Sequence, residues 1–252
     1  MNQRVLVTAG ASGIGREIAR AFAAAGARVF VCDIDEAALE ALEKELPGVG
    51  TTRCDVSKRA ENERMVAAAL KWLGGLDVLV NNAGIAGPTV PVDEVPPEEW
   101  DRVLQINLTA AFDVTRLSIP ALKASAAGVV IVMSSAAGRF GYPNRVAYAA
   151  TKWGLVGFTK TLAMELGAFG IRANAILPGT VEGDRIQRVF EGRAKLSGKS
   201  VDEVRDASMR NQSLQSLVNP KDIAALAVFL ASDAGKSISG QALAIDNDIQ
   251  RL

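Results

Sequence analysis

Not one histidine occurs in the 252 residues of this chain. Histidine is the usual proton carrier near neutral pH, so any acid–base chemistry here needs another carrier. Cysteine is nearly absent too. Cys32 and Cys54 are the only two, and each precedes an aspartate near the end of a predicted strand. Neighbouring strands would bring them close, as reduced core thiols rather than a disulfide. No metal site is expected. Aromatic residues make up only 5% of the chain against 49% hydrophobic. The apolar mass is therefore Ala, Val, Leu and Ile, which suits helices laid on a buried parallel sheet. The formal net charge is zero, with no basic tail or stripe, so nucleic acid is not expected as a partner. No apolar run approaches the ~18 residues of a membrane span. The N-terminus runs directly into "RVLVTAG" without the charged segment or cleavage site of an export signal, and a cytoplasmic protein with no membrane partner is expected.

What is present is a strict alternation of strand-like and helix-like stretches. "RVLVTA", "ARVFVCD", "VGTTRCDV", "LDVLVNNAG", "GVVIVMSS", "IRANAILPG" and "QALAID" read as strands. Residues 13–26, 35–46, 58–73, 97–126, 146–168 and 219–232 read as helices, with Pro120 a kink or a start. The expected fold is α/β: a single-domain, Rossmann-type, doubly wound parallel sheet of about seven strands over 1–252, with helices on both faces. Residues 180–218 break the alternation. They are polar, charged and too long for a plain connection, which marks a substrate lid.

The turn "VTAGASGIG" after the first strand carries Gly10, Gly13 and Gly15. Such glycines let the backbone turn tightly and approach a pyrophosphate at a helix N-terminus. Asp33 ends the second strand 18 residues after Gly15. An acid there accepts hydrogen bonds from ribose hydroxyls and repels a 2′-phosphate, so NAD is the expected cofactor rather than NADP. Tyr148 and Lys152 lie four apart on a predicted helix and share a face. A free tyrosine titrates near ~10, too high for a base at neutral pH. A nearby ammonium and an oxidised nicotinamide would favour its phenolate, which supplies a proton carrier without histidine.

These features, with "CDV" at 54–56, "NNAG" at 81–84, Asn107 in "INL", "SSAAG" at 134–138, "YAATK" at 148–152 and "PG" at 178–179, resemble the short-chain dehydrogenase/reductase family nearly end to end. The resemblance implies that Tyr148 is the general acid–base and that Lys152 lowers its pKa and holds the nicotinamide ribose. Ser135, more than Ser134, would hydrogen-bond the substrate oxygen, and Asn107 would hold a water linking Lys152 to solvent. Gly10, Ser12, Gly13, Ile14 and Gly15 would cradle the cofactor, with Asp33 and Ile34 at its adenosine ribose. Asp55 and Val56 would meet the adenine, and the Asn82–Ala83–Gly84 backbone the adenosine side. Pro178, Gly179 and the Val181 backbone would hold the nicotinamide. The family also implies a homodimer or homotetramer built on the apolar helices at 108–126 and 147–168.

Three positions depart from the family pattern. Ala9 stands where the turn usually has glycine, with Gly10 a candidate to absorb the strain. Gly183 stands where a threonine often contacts the nicotinamide amide. Asp246-Asn247-Asp248 replaces the usual Asp-Gly-Gly. The lid is cationic, with Arg185, Arg188, Arg193, Lys195 and Lys199 against Glu191, and Arg139 and Arg145 lie between Ser135 and Tyr148. An anionic substrate would suit these cations; a merely solvated charged lid is the alternative. The function expected is an NAD-dependent oxidoreductase of a secondary alcohol or ketone small molecule, a sugar or sugar acid first. The alternatives are a 3-oxoacyl thioester reductase and a catalytically retired dinucleotide sensor.

Overall fold

The computed structural model describes residues 2–251. Seven strands make one sheet: β1 (Arg4–Thr8), β2 (Arg28–Asp33), β3 (Gly50–Arg53), β4 (Val78–Asn81), β5 (Val129–Met133), β6 (Arg172–Pro178) and β7 (Ala242–Ile245). All pair in parallel, in the order β3-β2-β1-β4-β5-β6-β7. The chain winds outward from β1 to β3, then returns to lay β4 on the other side of β1. That reversal opens a crevice at the strands' carboxyl ends.

The strands' alternation divides the core in two. β1 sends Val5 and Val7 to one face and Leu6 to the other. On the first face lie α1 (Gly13–Ala24), α2 (Glu36–Glu45) and α9 (Pro220–Ala231), with Ile18, Phe22, Leu42 and Leu230 inside. On the second lie α3 (Arg59–Leu73), α5 (Ala110–Lys123) and α6 (Val146–Leu166), with Met65, Val114 and Leu155 inside. Phe22 and Ile18 are fully buried, each contributing roughly 1.5–3 kcal/mol. Because both faces are covered, the strands read as continuous apolar runs.

Cys32, in β2, and Cys54, just past the end of β3, are free and buried on neighbouring strands. A hydrogen bond between the two thiols, then burial, hold the Cys32 thiol well above its usual range, as befits an inert reduced group.

The structure refines the expected elements in three places. The single helix expected over 97–126 is α4 (Pro97–Leu104), a π-helical turn (Gln105–Thr109) and α5, with Pro120 inside α5 rather than at a start. The strand expected over 49–56 pairs only at 50–53, because the Asp55 carboxylate accepts from the Ser57 amide (3.0 Å) and turns the chain. Residues 180–218 are largely helical: α7 (Asp184–Ser197) and α8 (Val201–Arg210) pack around a small core of Phe190, Ala194 and Val204. A reciprocal cap between Ser200 and Glu203 starts α8.

Backbone geometry explains the departures at Ala9, Gly183 and the C-terminal turn. Ala9 itself takes up the left-handed conformation (φ 49°). Gly10 does not share the strain; it packs against Val31, where a Cβ would lie 2.8 Å from Cγ1. An L-residue in the left-handed region costs ~1–2 kcal/mol, partly offset by the unfolded-chain entropy that glycine would add, ~0.4–1 kcal/mol. Ala9→Gly should therefore stabilise the protein by about 0.5–1 kcal/mol, read as a rise in the urea midpoint at unchanged slope; a fall in the midpoint would refute the strain. Gly183 has φ 128°, a region open essentially to glycine alone, so a threonine is incompatible with this entry to α7. Asn247 and Asp248 both have φ 58°, and Asn and Asp are the side chains that best tolerate it. The turn is kept and pinned: the Asn247 amide donates to the Ser216 carbonyl (2.7 Å), and the Ser213 hydroxyl donates to the Asp248 carboxylate.

Candidate active site

A cleft of about 540 Å³ runs along the carboxyl ends of the strands, from the glycine turn to the start of α7. At its β1 end the helix α1 begins at Ser12, whose side chain makes no cap bond. The first amides of α1 are thus left for an anion. Gly15 is a necessity of packing, since a Cβ would lie 2.3 Å from the Ala9 carbonyl and 2.5 Å from Asn82 Nδ2. The turn is held from β4. Asn82 Nδ2 donates to the Thr8 and Ala9 carbonyls (3.0 and 2.9 Å), and Thr8 Oγ1 accepts from the Asn82 and Ala83 amides. So "NNAG" works here as a clamp on the phosphate turn as well as a wall.

Asp33 is 8% exposed and lines the cleft. One carboxylate oxygen accepts from the Ala11 amide (3.0 Å) and the other from the Asp35 amide (3.2 Å). Lone pairs remain on both for a ribose. Arg53 lies across from Asp33 in the sheet register, which the linear sequence conceals. Its guanidinium is turned to Glu36 (3.7 Å) and Glu61 (3.5 Å), and it is not part of the cleft wall. These features fit a dinucleotide: open helix amides for a pyrophosphate, a close-approach glycine, and a carboxylate at the ribose.

At the far end stand Tyr148 and Lys152 on α6, one turn apart. The Tyr148 hydroxyl has no partner among the described residues, and Lys152 Nζ lies 5.5 Å from its ring centre. Lys152 is buried and Nζ donates to the Met133 carbonyl (2.8 Å). Burial, then the charge of Arg185, depress its pKa to about 7. Ser135 caps a short 3-10 turn, its Oγ accepting from the Ala137 amide (3.2 Å), so its proton is unspent. Ser134 instead donates to the Lys152 carbonyl (2.8 Å) and ties β5 to α6. Both serines line the cleft, and of the two only Ser134 has its proton committed.

Every residue expected at the site lines this cleft except two. Gly10 is spent on Val31, as above. Asn107 is fully buried behind the wall: Oδ1 accepts from the Ile85 amide (2.8 Å), and Nδ2 donates to the Ile85 carbonyl (3.0 Å) and to Thr151 Oγ1 (3.2 Å). Its side chain ties the loop after β4 to α6, beside Gly84 and the Lys152 amine. Val181 lines the cleft and bridges Val218, with Pro178 and Gly179 beside it. Sequence reasoning missed Tyr142, whose ring packs edge-on against Tyr148 at 6.2 Å.

A family model described as "Enoyl-(Acyl carrier protein) reductase" matches residues 8–247. The chain is 40% identical over 240 residues to the D-beta-hydroxybutyrate dehydrogenase of Cupriavidus necator, covering 93% of each. It is 36% identical to the L-fucose dehydrogenase of Bos taurus, over 91% of this chain and 83% of that one. Among solved structures it superposes on a variant of the actinorhodin polyketide ketoreductase with NADPH at a TM-score of 0.94. That likeness is 34% identical and covers 98% of this chain and 96% of that chain. A parallel seven-stranded sheet, a glycine turn opening onto α1, a Tyr148/Lys152 pair over one cleft and these relatives together place the chain in the short-chain dehydrogenase/reductase family, as an oxidoreductase acting between a secondary alcohol and its ketone.

Proposed function

We propose that the electron acceptor is NAD and that Tyr148, Ser135 and Lys152 carry the chemistry. The observation that carries this reading is the meeting, in one cleft, of an unpartnered Tyr148 hydroxyl, an unspent Ser135 proton and the buried Lys152 amine, with Asp33 at the other end. The nicotinamide, when bound, supplies the hydride acceptor at its C4. Tyr148 takes the hydroxyl proton of the alcohol, or returns it to the ketone. Ser135 donates to the same oxygen as charge develops on it. Lys152 holds positive charge beside the Tyr148 ring and offers a donor to the nicotinamide ribose. Asn107 holds the loop after β4 in register. The segment 180–218 acts as the lid over the substrate. A sugar or sugar acid is the leading substrate, supported by the L-fucose dehydrogenase relative. A 3-oxoacyl thioester reductase is the second reading, supported by the polyketide ketoreductase likeness. The test is a panel of sugars, hydroxy acids, steroids and thioesters, followed through the absorbance of reduced cofactor. Turnover of no secondary alcohol or ketone would refute the reading.

Cofactor choice follows from Asp33. A 2′-phosphate placed against this buried carboxylate costs several kcal/mol, so kcat/KM with NAD should exceed that with NADP by ~100-fold or more. Equal efficiencies would overturn it. No described helix is long and apolar enough to cross a membrane, and two buried free thiols suit the reducing cytoplasm. Assembly follows from the surface. Phe112 on α5 and Trp153 and Met164 on α6 stand exposed, Met164 at 84%. Large exposed apolar side chains on adjoining helices mark an interface. Light scattering should give a homodimer or homotetramer at micromolar concentration; a monomer would sink this.

A further inference from the structure

Arg145 is a charge without a counter-charge. It is 3% exposed, yet Nε and Nη1 have no hydrogen-bond partner. Only Nη2 is spent, donating to the Ala86 carbonyl (2.7 Å). The guanidinium lies 5.1 Å from the Tyr148 ring centre and 5.2 Å from that of Tyr142, and it lines the cleft. Its neighbours add more positive charge. Arg193 lies over the other ring of the pair, 4.9 Å from the Tyr142 centre. Arg185 and Arg188 line the same end, with Arg185 Nη2 on the Gly84 carbonyl (2.8 Å). Among the described residues, none of these four arginines forms an ion pair. Arginines elsewhere in the chain commonly do: Arg4, Arg16, Arg20, Arg53, Arg59 and Arg116 all bridge acids.

A buried cation is costly to leave unpaired. Arginine also presents planar donors matched to a carboxylate. We infer that the substrate carries a carboxylate close to its carbinol carbon, and that Arg145, backed by Arg185, Arg188 and Arg193 of the lid, recognises it. The substrate class is thus a short hydroxy acid, or a sugar in acid form, in preference to a neutral polyol or a thioester. Proximity sets the size. The Arg145 guanidinium lies against the ring that bears the Tyr148 hydroxyl, so the carboxylate and the reacting hydroxyl sit within a few carbons of each other. Positive charge on the lid then makes closure favourable over an anion. This inference rests on the proposed alcohol dehydrogenase reading.

The test uses matched pairs with NAD: 2- and 3-hydroxybutyrate, 4-hydroxypentanoate, lactate and gluconate, each beside its methyl ester or neutral alcohol. The expected result is that at least one acid exceeds its neutral partner in kcat/KM by about tenfold or more, the worth of one charge-assisted bond. Arg145→Met should bring that ratio towards one, because the substitution removes the carboxylate's partner. The ratio matters because Arg145 also touches the Tyr148 ring. A role through Tyr148 alone would slow acid and ester alike and leave the ratio unchanged, which would overturn the inference. Should Arg145→Met fail to fold, wild type still decides: butyrate should inhibit at concentrations about tenfold below those of butyramide. Equal inhibition, or neutral alcohols turning over faster than acids, contradicts carboxylate recognition while leaving the dehydrogenase reading standing. Absence of turnover with every acid, ester and alcohol removes both.

Discussion

Tyr148→Phe is expected to lower turnover by ~10²–10⁴-fold, the usual worth of a general acid–base group, and to leave NAD affinity close to wild type. The substitution keeps the ring, and the ring is what packs against Tyr142 and Arg145. Only the unpartnered hydroxyl goes. No histidine stands in reserve, and the serine next in line differs from it in role. Ser134 is committed to the Lys152 carbonyl, and the Ser135 hydroxyl, an acceptor for the Ala137 amide, is placed to donate rather than to take a proton. Parallel rate and binding measurements check this. A large loss of NAD affinity would mean that the hydroxyl holds cofactor instead of moving a proton.

Lys152→Met is expected to act in two opposite directions. Turnover and NAD affinity should both fall, since the ammonium is the cation one turn from Tyr148 on the same helix face. Stability without cofactor should rise. The sign follows from burial. Free lysine titrates at 10.5 and the buried amine at about 7, so the unfolded chain binds the extra proton between those values. Wild-type stability is therefore lowest below pH 7 and climbs as pH rises from about 7 towards 10.5. The full cost of keeping the charge buried at low pH is about 5 kcal/mol at about 1.36 kcal/mol per unit of pKa, offset by ~1 kcal/mol for the lost bond to the Met133 carbonyl. The Met variant should gain a few kcal/mol at about pH 6 and lose that advantage at about pH 10. Denaturant midpoints at the two pH values, without cofactor, measure it. A variant less stable than wild type at the lower pH would show that Lys152 is a structural residue rather than one held under strain for chemistry.

Most of the sheet could be read from the chain because strands buried on both faces give long apolar runs, and each is followed by a helix with its own periodicity. What escaped that reading was set by groups distant in sequence. The π-helical turn at 105–109 owes its place to Asn107 bonding Ile85 and Thr151, one from the loop after β4 and one from α6. Arg53 opposite Asp33 is a fact of register. That Tyr148, Lys152 and Asp33 would share one cleft was legible because fixed spacing on one element, or a place at a strand end, sets where each side chain goes. Arg145 was visible only as one more cation in a loop. Its meaning depends on being buried without an acid, which no linear pattern records. The helices α7 and α8 carried a readable signal in the Ser200 and Glu203 cap, but their charge masked the periodicity. Ala9 was legible as a departure, while the residue that bears its strain emerged only from the backbone angles.

The central claim is that a tyrosine does the proton transfer in a chain without histidine. The most direct measurement is the oxidation rate against pH at saturating NAD, wild type beside Tyr148→Phe, with NAD affinity measured for each. Wild type should climb with pH through an ionisation that the phenylalanine variant no longer follows, its residual rate below about a hundredth of wild type. A variant that binds NAD normally, keeps more than about a tenth of wild-type turnover and traces the same pH curve would contradict it, because another group would then be moving the proton.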